Sequence, residues 1–224
     1  MKRSYVNETI SEAIALFYKH GWHLPPFAFF TPEEWRMKGR DYDPVRRCML
    51  GWDMTDFGSG DFEKIGLFLF TLRNGVEGSA ADPKTYAEKL MVVRVNQKTP
   101  FHFHWKKTED IINRGGGVLK LRFFSCDEND AINDKPINLL TDGRDITLMP
   151  GAVITLKPGE SVTIPTRVYH EFWAENDTAV VGEVSQVNDD KTDNRFLEPA
   201  GRFQTIEEDE PAKYLLCNEY PQAY

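Results

Sequence analysis

The sequence predicts a mainly β protein: an antiparallel sandwich or barrel with helices in front of it. Two observations lead there. From Gly66 onward the chain breaks into short runs rich in β-branched and aromatic residues, separated by Gly, Pro, Asn and Asp. Ahead of them, apolar residues recur at helical spacing. The implied organisation is a helical extension over residues 1–60 packed on a β-barrel over residues 61–224, together one structural domain. A chain of 224 residues is long enough to bury such a core.

Ile10, Ala13, Ile14 and Phe17 share one face of a helix expected over residues 7–20, and Gly21 is its stop signal. Thr31-Pro32-Glu33-Glu34 opens a second helix, running to about Lys38. Thr31 serves as N-cap, Pro32 takes the first helical position and the acids favour the positive end of the helix dipole. Residues 43–50 suit a third helix. Between them, the run from Trp22 to Phe30 is so apolar that either the barrel or a second copy of the chain must cover it. Strands are expected over residues 67–72, 89–95, 101–105, 118–124, 152–156, 161–164 and 179–187. Gly115-Gly116-Gly117 reads as a glycine turn between two strands. A phosphate-binding loop would need a strand before it, a helix after it and usually a Lys-Ser/Thr pair, and these are missing.

Composition narrows the function classes. The formal charge of −8 argues against a general nucleic-acid binder, which needs a basic face. The three cysteines, Cys48, Cys126 and Cys217, are scattered, without CxxC spacing, so neither a disulfide framework nor a zinc ribbon is expected. A reducing cytoplasm is the simplest home for such a chain. The start, Met1-Lys2-Arg3-Ser4-Tyr5, is charged, but Asn7, Glu8 and Glu12 interrupt any apolar stretch. A signal peptide or membrane span is not expected.

The chemistry concentrates in Phe101-His102-Phe103-His104-Trp105-Lys106-Lys107-Thr108-Glu109, which holds two of the five histidines. On a strand, positions i and i+2 project to the same face, so His102 and His104 point together while Phe101, Phe103 and Trp105 point away. A turn or short excursion over residues 108–113 would swing Glu109 back beside the two imidazoles. Two neutral imidazoles and a carboxylate suit a divalent ion such as manganese, iron, cobalt, nickel or zinc. A second segment, from Pro158 to Pro165, leads to His170 just past a strand and a tight turn. His170 would complete a site of three histidines and one glutamate.

These two segments resemble the paired motifs of the cupin superfamily. His102, His104, Glu109 and Gly116 fall on the first motif; Gly159, Pro165 and His170 fall on the second. Asn96 stands where the first motif opens with Gly, Arg167 replaces the turn Gly of the second, and Ala174 replaces its closing Asn. No departure removes a ligand. Within cupins the chain resembles the D-lyxose ketol-isomerases almost from end to end. The likeness runs through Tyr86-Ala87-Glu88-Lys89-Leu90, the strings starting at Phe101 and Glu109, Val181-Gly182-Glu183-Val184-Ser185 and Leu216-Cys217-Asn218-Glu219-Tyr220. The resemblance implies a cupin-type barrel, a resident metal (typically manganese, otherwise cobalt, iron or zinc) and a homodimer. It also implies interconversion of D-lyxose with D-xylulose and, usually, of D-mannose with D-fructose.

Four protein ligands leave about two positions on an octahedral ion for adjacent sugar oxygens, where it would polarise the carbonyl. Isomerisation also needs a base that moves a proton between C1 and C2. Lys89, at the head of an apolar run, either points inward to hold a sugar oxygen or sits solvated at a strand end. Glu183 shares its strand face with Val181 and either lies inside as the base or faces outward. If it is inside, desolvation would raise its pKa toward a useful value. Glu208 is a second acid–base candidate within a run of acids that otherwise reads as solvated. Arg202 is a further candidate for the substrate. The family likeness adds Asp190 and Asp193 as sugar-hydroxyl partners. A cupin dioxygenase holding non-haem iron on the same ligands, and a non-catalytic sugar-binding cupin, stand as alternatives.

Overall fold

The computed structural model describes residues 1–223. Helix α1 (Arg3–Lys19) ends in a Schellman arrangement. Gly21, at φ 76°, donates to Tyr18 O at 3.0 Å and Trp22 donates to Phe17 O at 2.9 Å. Helix α2 (Pro32–Met37) carries a full capping box: Glu34 N donates to Thr31 Oγ1 at 3.2 Å and Thr31 N to Glu34 Oε2 at 2.8 Å. Helix α3 is only Asp43–Arg47, shorter than expected, and the chain turns at Met49 with φ 52°.

The strands are β1 (Gly51–Thr55), β2 (Leu67–Arg73), β3 (Tyr86–Val93), β4 (Thr99–Phe103), β5 (Glu109–Cys126), β6 (Ile132–Asn133), β7 (Ile137–Thr141), β8 (Arg144–Leu148), β9 (Val153–Leu156), β10 (Ser161–Ile164), β11 (Val168–Gln186) and β12 (Arg195–Phe196). All paired strands run antiparallel. The region before residue 61 is therefore not purely helical, because β1 extends the sheet by pairing with β2.

Two long strands organise the rest. β5 and β11 pair along their whole length, with register shifts between Glu175 and Ala179 and between Val180 and Val181. Gly115 to Gly117 lie inside β5, not in a turn between strands. They form the kink: Gly116 has φ 85°, and a Cβ at Gly117 would overlap the carbonyl of Asp177 on the partner strand. Each half of the kinked ribbon belongs to a different layer. Residues 109–116 of β5 and 179–186 of β11 join β3, β2 and β1 on one side and β10 on the other. Residues 118–126 and 168–175 join β4, β6 and β9. The result is a cupin-type sandwich whose ladder is not closed: β1 and β8 end it.

The layers face each other across one core that includes Leu69, Met91, Ile111, Leu121, Phe172 and Val181. A second core lies outside, where Val6, Ile10, Ala13 and Phe17 of α1 cover Trp52, Phe68, Phe70, Leu90 and Val180. β2 and β3 are thus buried on both faces, which explains their unbroken apolar runs. Full burial of residues such as Ile10 and Phe17 is worth about 1.5–3 kcal/mol each. Trp22, Leu24, Phe27 and Phe29 pack against this same second core. The apolar N-terminal run is therefore covered within the chain and gives no reason by itself for a second copy.

Candidate functional site

Strand register assembles the site. His102 of β4 faces His170 of β11 directly across the ladder, and their ring centroids are 4.2 Å apart. His104, two residues on, projects to the same side, 5.2 Å from His102 between centroids. Glu109 arrives from the opposite layer as the first residue of β5, after a turn over residues 104–108 rather than one over 108–113. The two turns that depart from the cupin motif hold left-handed backbone, with φ 61° at Asn96 and 62° at Arg167. The geometry for which glycine is usually chosen is kept without it.

One ligand atom from each of His102, His104, Glu109 and His170 lies within 4.8 Å of the others. Glu109 Oε1 is 3.3 Å from His104 Nε2 and 3.0 Å from His170 Nε2. These three atoms are buried and without a hydrogen-bond partner. Each imidazole is also locked in one tautomer. Nδ1 of His102, His104 and His170 lies 2.9, 3.0 and 3.0 Å from the carbonyls of Pro100, Asp193 and Val168. A carbonyl only accepts, so Nδ1 carries the proton and Nε2 offers its lone pair to the centre. Loss of solvation, and then repulsion from His170 and His104, keep His102 neutral well below the usual imidazole range. Burial opposes ionisation of Glu109, but the Lys107 ammonium outweighs it and holds the carboxyl well below its usual range. Convergent neutral nitrogens with one ionised, under-bonded oxygen fit a divalent cation.

A charged cluster shares the cavity. Lys89 and Glu183 are a direct cross-strand pair between β3 and β11, 3.2 Å apart, and both face inward. Lys107, nearly fully buried, sits 2.8 Å from Glu183 and 3.0 Å from Glu109. Burial alone would lower the Lys107 pKa, but the two carboxylates raise it and keep the ammonium charged. Glu183 corrects an expectation. Burial does push its pKa up, but Lys107 and Lys89 prevail and the carboxyl is held below its usual value. Lys107 is the residue that sequence reading passed over. The available signal was its i, i+2 spacing from Glu109, but nothing in the sequence pairs it with Glu183.

Asp190 and Arg202 also line the cavity and pair at 2.9 Å, and Arg202 reaches Asp53 of β1 as well. Burial disfavours the Asp190 charge, yet Arg202 and Lys89 hold its carboxyl far below the usual range. Asn188 Oδ1 accepts from Lys89 Nζ at 2.7 Å and Lys107 Nζ at 3.3 Å. Two candidates are placed differently from expectation. Asp193 spends both carboxylate oxygens on the backbone N–H groups of Lys106 and Lys107, so it braces the site without facing the cavity. Glu208 lies elsewhere, exposed and paired at 2.7 Å with the buried Arg3 of α1. Its neighbourhood is the N-terminal helix, which sequence distance from the motifs could not reveal. No helix among the described residues is long and apolar enough to cross a membrane.

Comparison with known proteins agrees with this architecture. The chain is 47% identical over 225 residues to the D-lyxose/D-mannose isomerase of Escherichia coli O157:H7, covering 99% of each chain. It is 47% identical over 223 residues to the enzyme of the same name from Serratia proteamaculans, covering 98% of each. Among solved structures, the L-ribose isomerase of Cellulomonas parahominis shares the fold with a TM-score of 0.62 at 17% identity, over 92% of this chain and 98% of that one. The isomerase likeness sets aside the dioxygenase and non-catalytic readings. A family model described as D-lyxose isomerase matches residues 1–220, and the chain belongs to that family of sugar isomerases.

Proposed function

We propose that this chain interconverts D-lyxose with D-xylulose and D-mannose with D-fructose, using one divalent cation, typically manganese, held by His102, His104, Glu109 and His170. The observation that carries the reading is the single cavity in which this ligand group faces the Lys89–Glu183–Lys107 cluster. A cation bound there supplies Lewis acidity toward the sugar's C1–C2 oxygens. Glu183 takes the proton from one of these carbons and returns it to the other through a cis-enediol. Because Lys107 and Lys89 keep it ionised, Glu183 enters the reaction as a base without needing a raised pKa. Lys89 donates to a sugar oxygen, and the Asp190–Arg202 pair meets hydroxyls further along the chain of the sugar. Leu69, Met91 and Phe172 form the apolar wall that excludes water. A homodimer and a cytoplasmic location belong to the same reading, on the family likeness and the scattered cysteines respectively. Light scattering tests the first.

The test is ketose formation from a panel of pentoses and hexoses with added Mn2+, for the wild type and for Glu183→Gln. Glu183→Gln should retain metal and sugar binding and lose about 10²–10⁴-fold in turnover. In deuterium oxide the product should carry deuterium at C1 or C2. A fully active Glu183→Gln enzyme with no solvent deuterium in its product would overturn the proton shuttle in favour of a hydride shift.

A further inference from the structure

Two of the three imidazoles are oriented by their own strands. His102 and His170 each donate from Nδ1 to the carbonyl two residues earlier. His104 differs: its partner is Asp193 O, 89 residues away in sequence. Asp193 belongs to the segment between β11 and β12 that lies along the cavity and gives Asn188, Asp190 and Asn194 to its wall. The same residue grips the turn that joins His104 to Glu109. Its Oδ1 accepts from Lys106 N at 2.8 Å and its Oδ2 from Lys107 N at 3.0 Å. The carboxylate is buried, at 4% exposure, and takes part in no ion pair among the described residues. One residue of the strap therefore fixes the tautomer of one ligand and the shape of the turn that spaces it from another. That turn also carries Lys107, which lies between Glu109 and Glu183.

The geometry points to Asp193 as a positioning residue that makes seating of the strap between β11 and β12, residues 187–194, and divalent-metal binding a single equilibrium. With the strap seated, His104 Nε2 is presented to the ion. With the strap released, Nδ1 of His104 loses its acceptor, and the 104–108 turn loses two charge-assisted hydrogen bonds while His102 and His170 keep their orientation. Outer-shell partners of metal-bound histidines are typically worth 10–100-fold in metal affinity. Linkage is reciprocal, so metal must favour the seated strap by the same factor by which the strap favours metal. The inference rests on the metal reading above and adds to it the way the site is made conditional on the strap that walls it.

The test joins calorimetric titration of the metal-free protein with Mn2+ to amide hydrogen exchange with and without the ion. In the wild type, Mn2+ should slow exchange at Lys106, Lys107 and Asp193, whose N–H groups are bonded to Asp193 or, for Asp193 itself, to Asp189 O at 3.0 Å. Asp193→Ala should raise the Mn2+ Kd about 10–100-fold. It should also leave the Lys106 and Lys107 amides fast-exchanging with or without metal. Asp193→Asn, which keeps one acceptor oxygen, should fall between. A purely structural role would lower Tm in Asp193→Ala without moving the Kd of the folded protein, and that result overturns the proposal. The wild-type exchange arm needs no variant: metal bound with no change at these amides overturns the coupling too. If the wild type binds neither Mn2+, Co2+, Fe2+ nor Zn2+, the metal reading itself fails and the inference falls with it. Tight binding that is equal in wild type and Asp193→Ala removes only the inference.

Discussion

Replacing Lys107 with Met tests the charge arrangement at its centre. The ammonium is buried and lies 2.8 Å from Glu183 and 3.0 Å from Glu109. At an effective dielectric of about 20, unit charges about 4 Å apart attract by about 4 kcal/mol. Lys107→Met removes two such attractions. It also removes the cost of burying the ammonium, and Glu183 keeps Lys89 at 3.2 Å. What remains is Glu109, a buried carboxylate with its cation gone. Broken buried pairs of this kind lose about 3–5 kcal/mol. For a chain of this size each kcal/mol lowers Tm by about 2–4 °C, so the metal-free variant should melt about 6–20 °C below the wild type. Urea unfolding followed by tryptophan fluorescence measures the free-energy difference.

The pH dependence has a definite sign. In the wild type the Glu109 and Glu183 pKa values are depressed, so their contribution is present above the unfolded value of about 4.3 and is lost as pH falls through the folded values. Without Lys107, burial acts on Glu109 with less opposition and its pKa rises. A carboxyl raised in the folded state loses its stabilising contribution as pH climbs through the folded value. The gap between the two proteins should therefore be widest near pH 7 and narrow toward pH 4. Mn2+ should shrink it, because a cation on Glu109 compensates the same charge. A difference below about 1 kcal/mol at pH 7, unchanged by pH, would refute the buried-bridge reasoning.

Other outcomes follow from the same geometry. His104→Ala and His170→Ala should each abolish stoichiometric divalent metal, read by elemental analysis, while near-ultraviolet dichroism stays native; full occupancy in His170→Ala would remove His170 from the ligand set. His102 is held neutral in the folded, metal-free chain, whereas the unfolded imidazole takes up a proton below about pH 6.5. Stability of the metal-free protein should thus fall with decreasing pH from that point, by up to about 1.4 kcal/mol per unit from this group, and His102→Asn should flatten that slope in denaturation curves at pH 7, 6 and 5. Glu208→Gln should leave turnover within about twofold, since its partner is Arg3 and it does not line the cavity; a loss as large as that expected for Glu183→Gln would return it to the acid–base candidates.

What the sequence determined by itself is what short-range geometry dictates. His102 and His104 had to share a face because strand side chains alternate. Gly21 and the Thr31–Glu34 box had to end and begin helices because each satisfies backbone groups within a few residues. The inward side of Lys89 and Glu183 is one of two readings that alternation allows, and tertiary packing decides it: their same-face neighbours Met91 and Val181 join the core between the layers, while Leu90 and Val180 lie under α1. In sequence the kinked β5–β11 ribbon shows only as separate short strands, because pairing across the kink links residues far apart in the chain. The same holds for the electrostatics. Desolvation of Glu183 could be anticipated from its apolar neighbours, but its pKa moves the other way because register brings Lys89, 94 residues away, and the 104–108 turn brings Lys107. Glu208 and Asp193 left the cavity for the same reason: a carboxylate's role is set by the donor it meets. Coulomb and hydrogen-bond energies fall off over a few ångströms, and sequence carries those distances only between near neighbours.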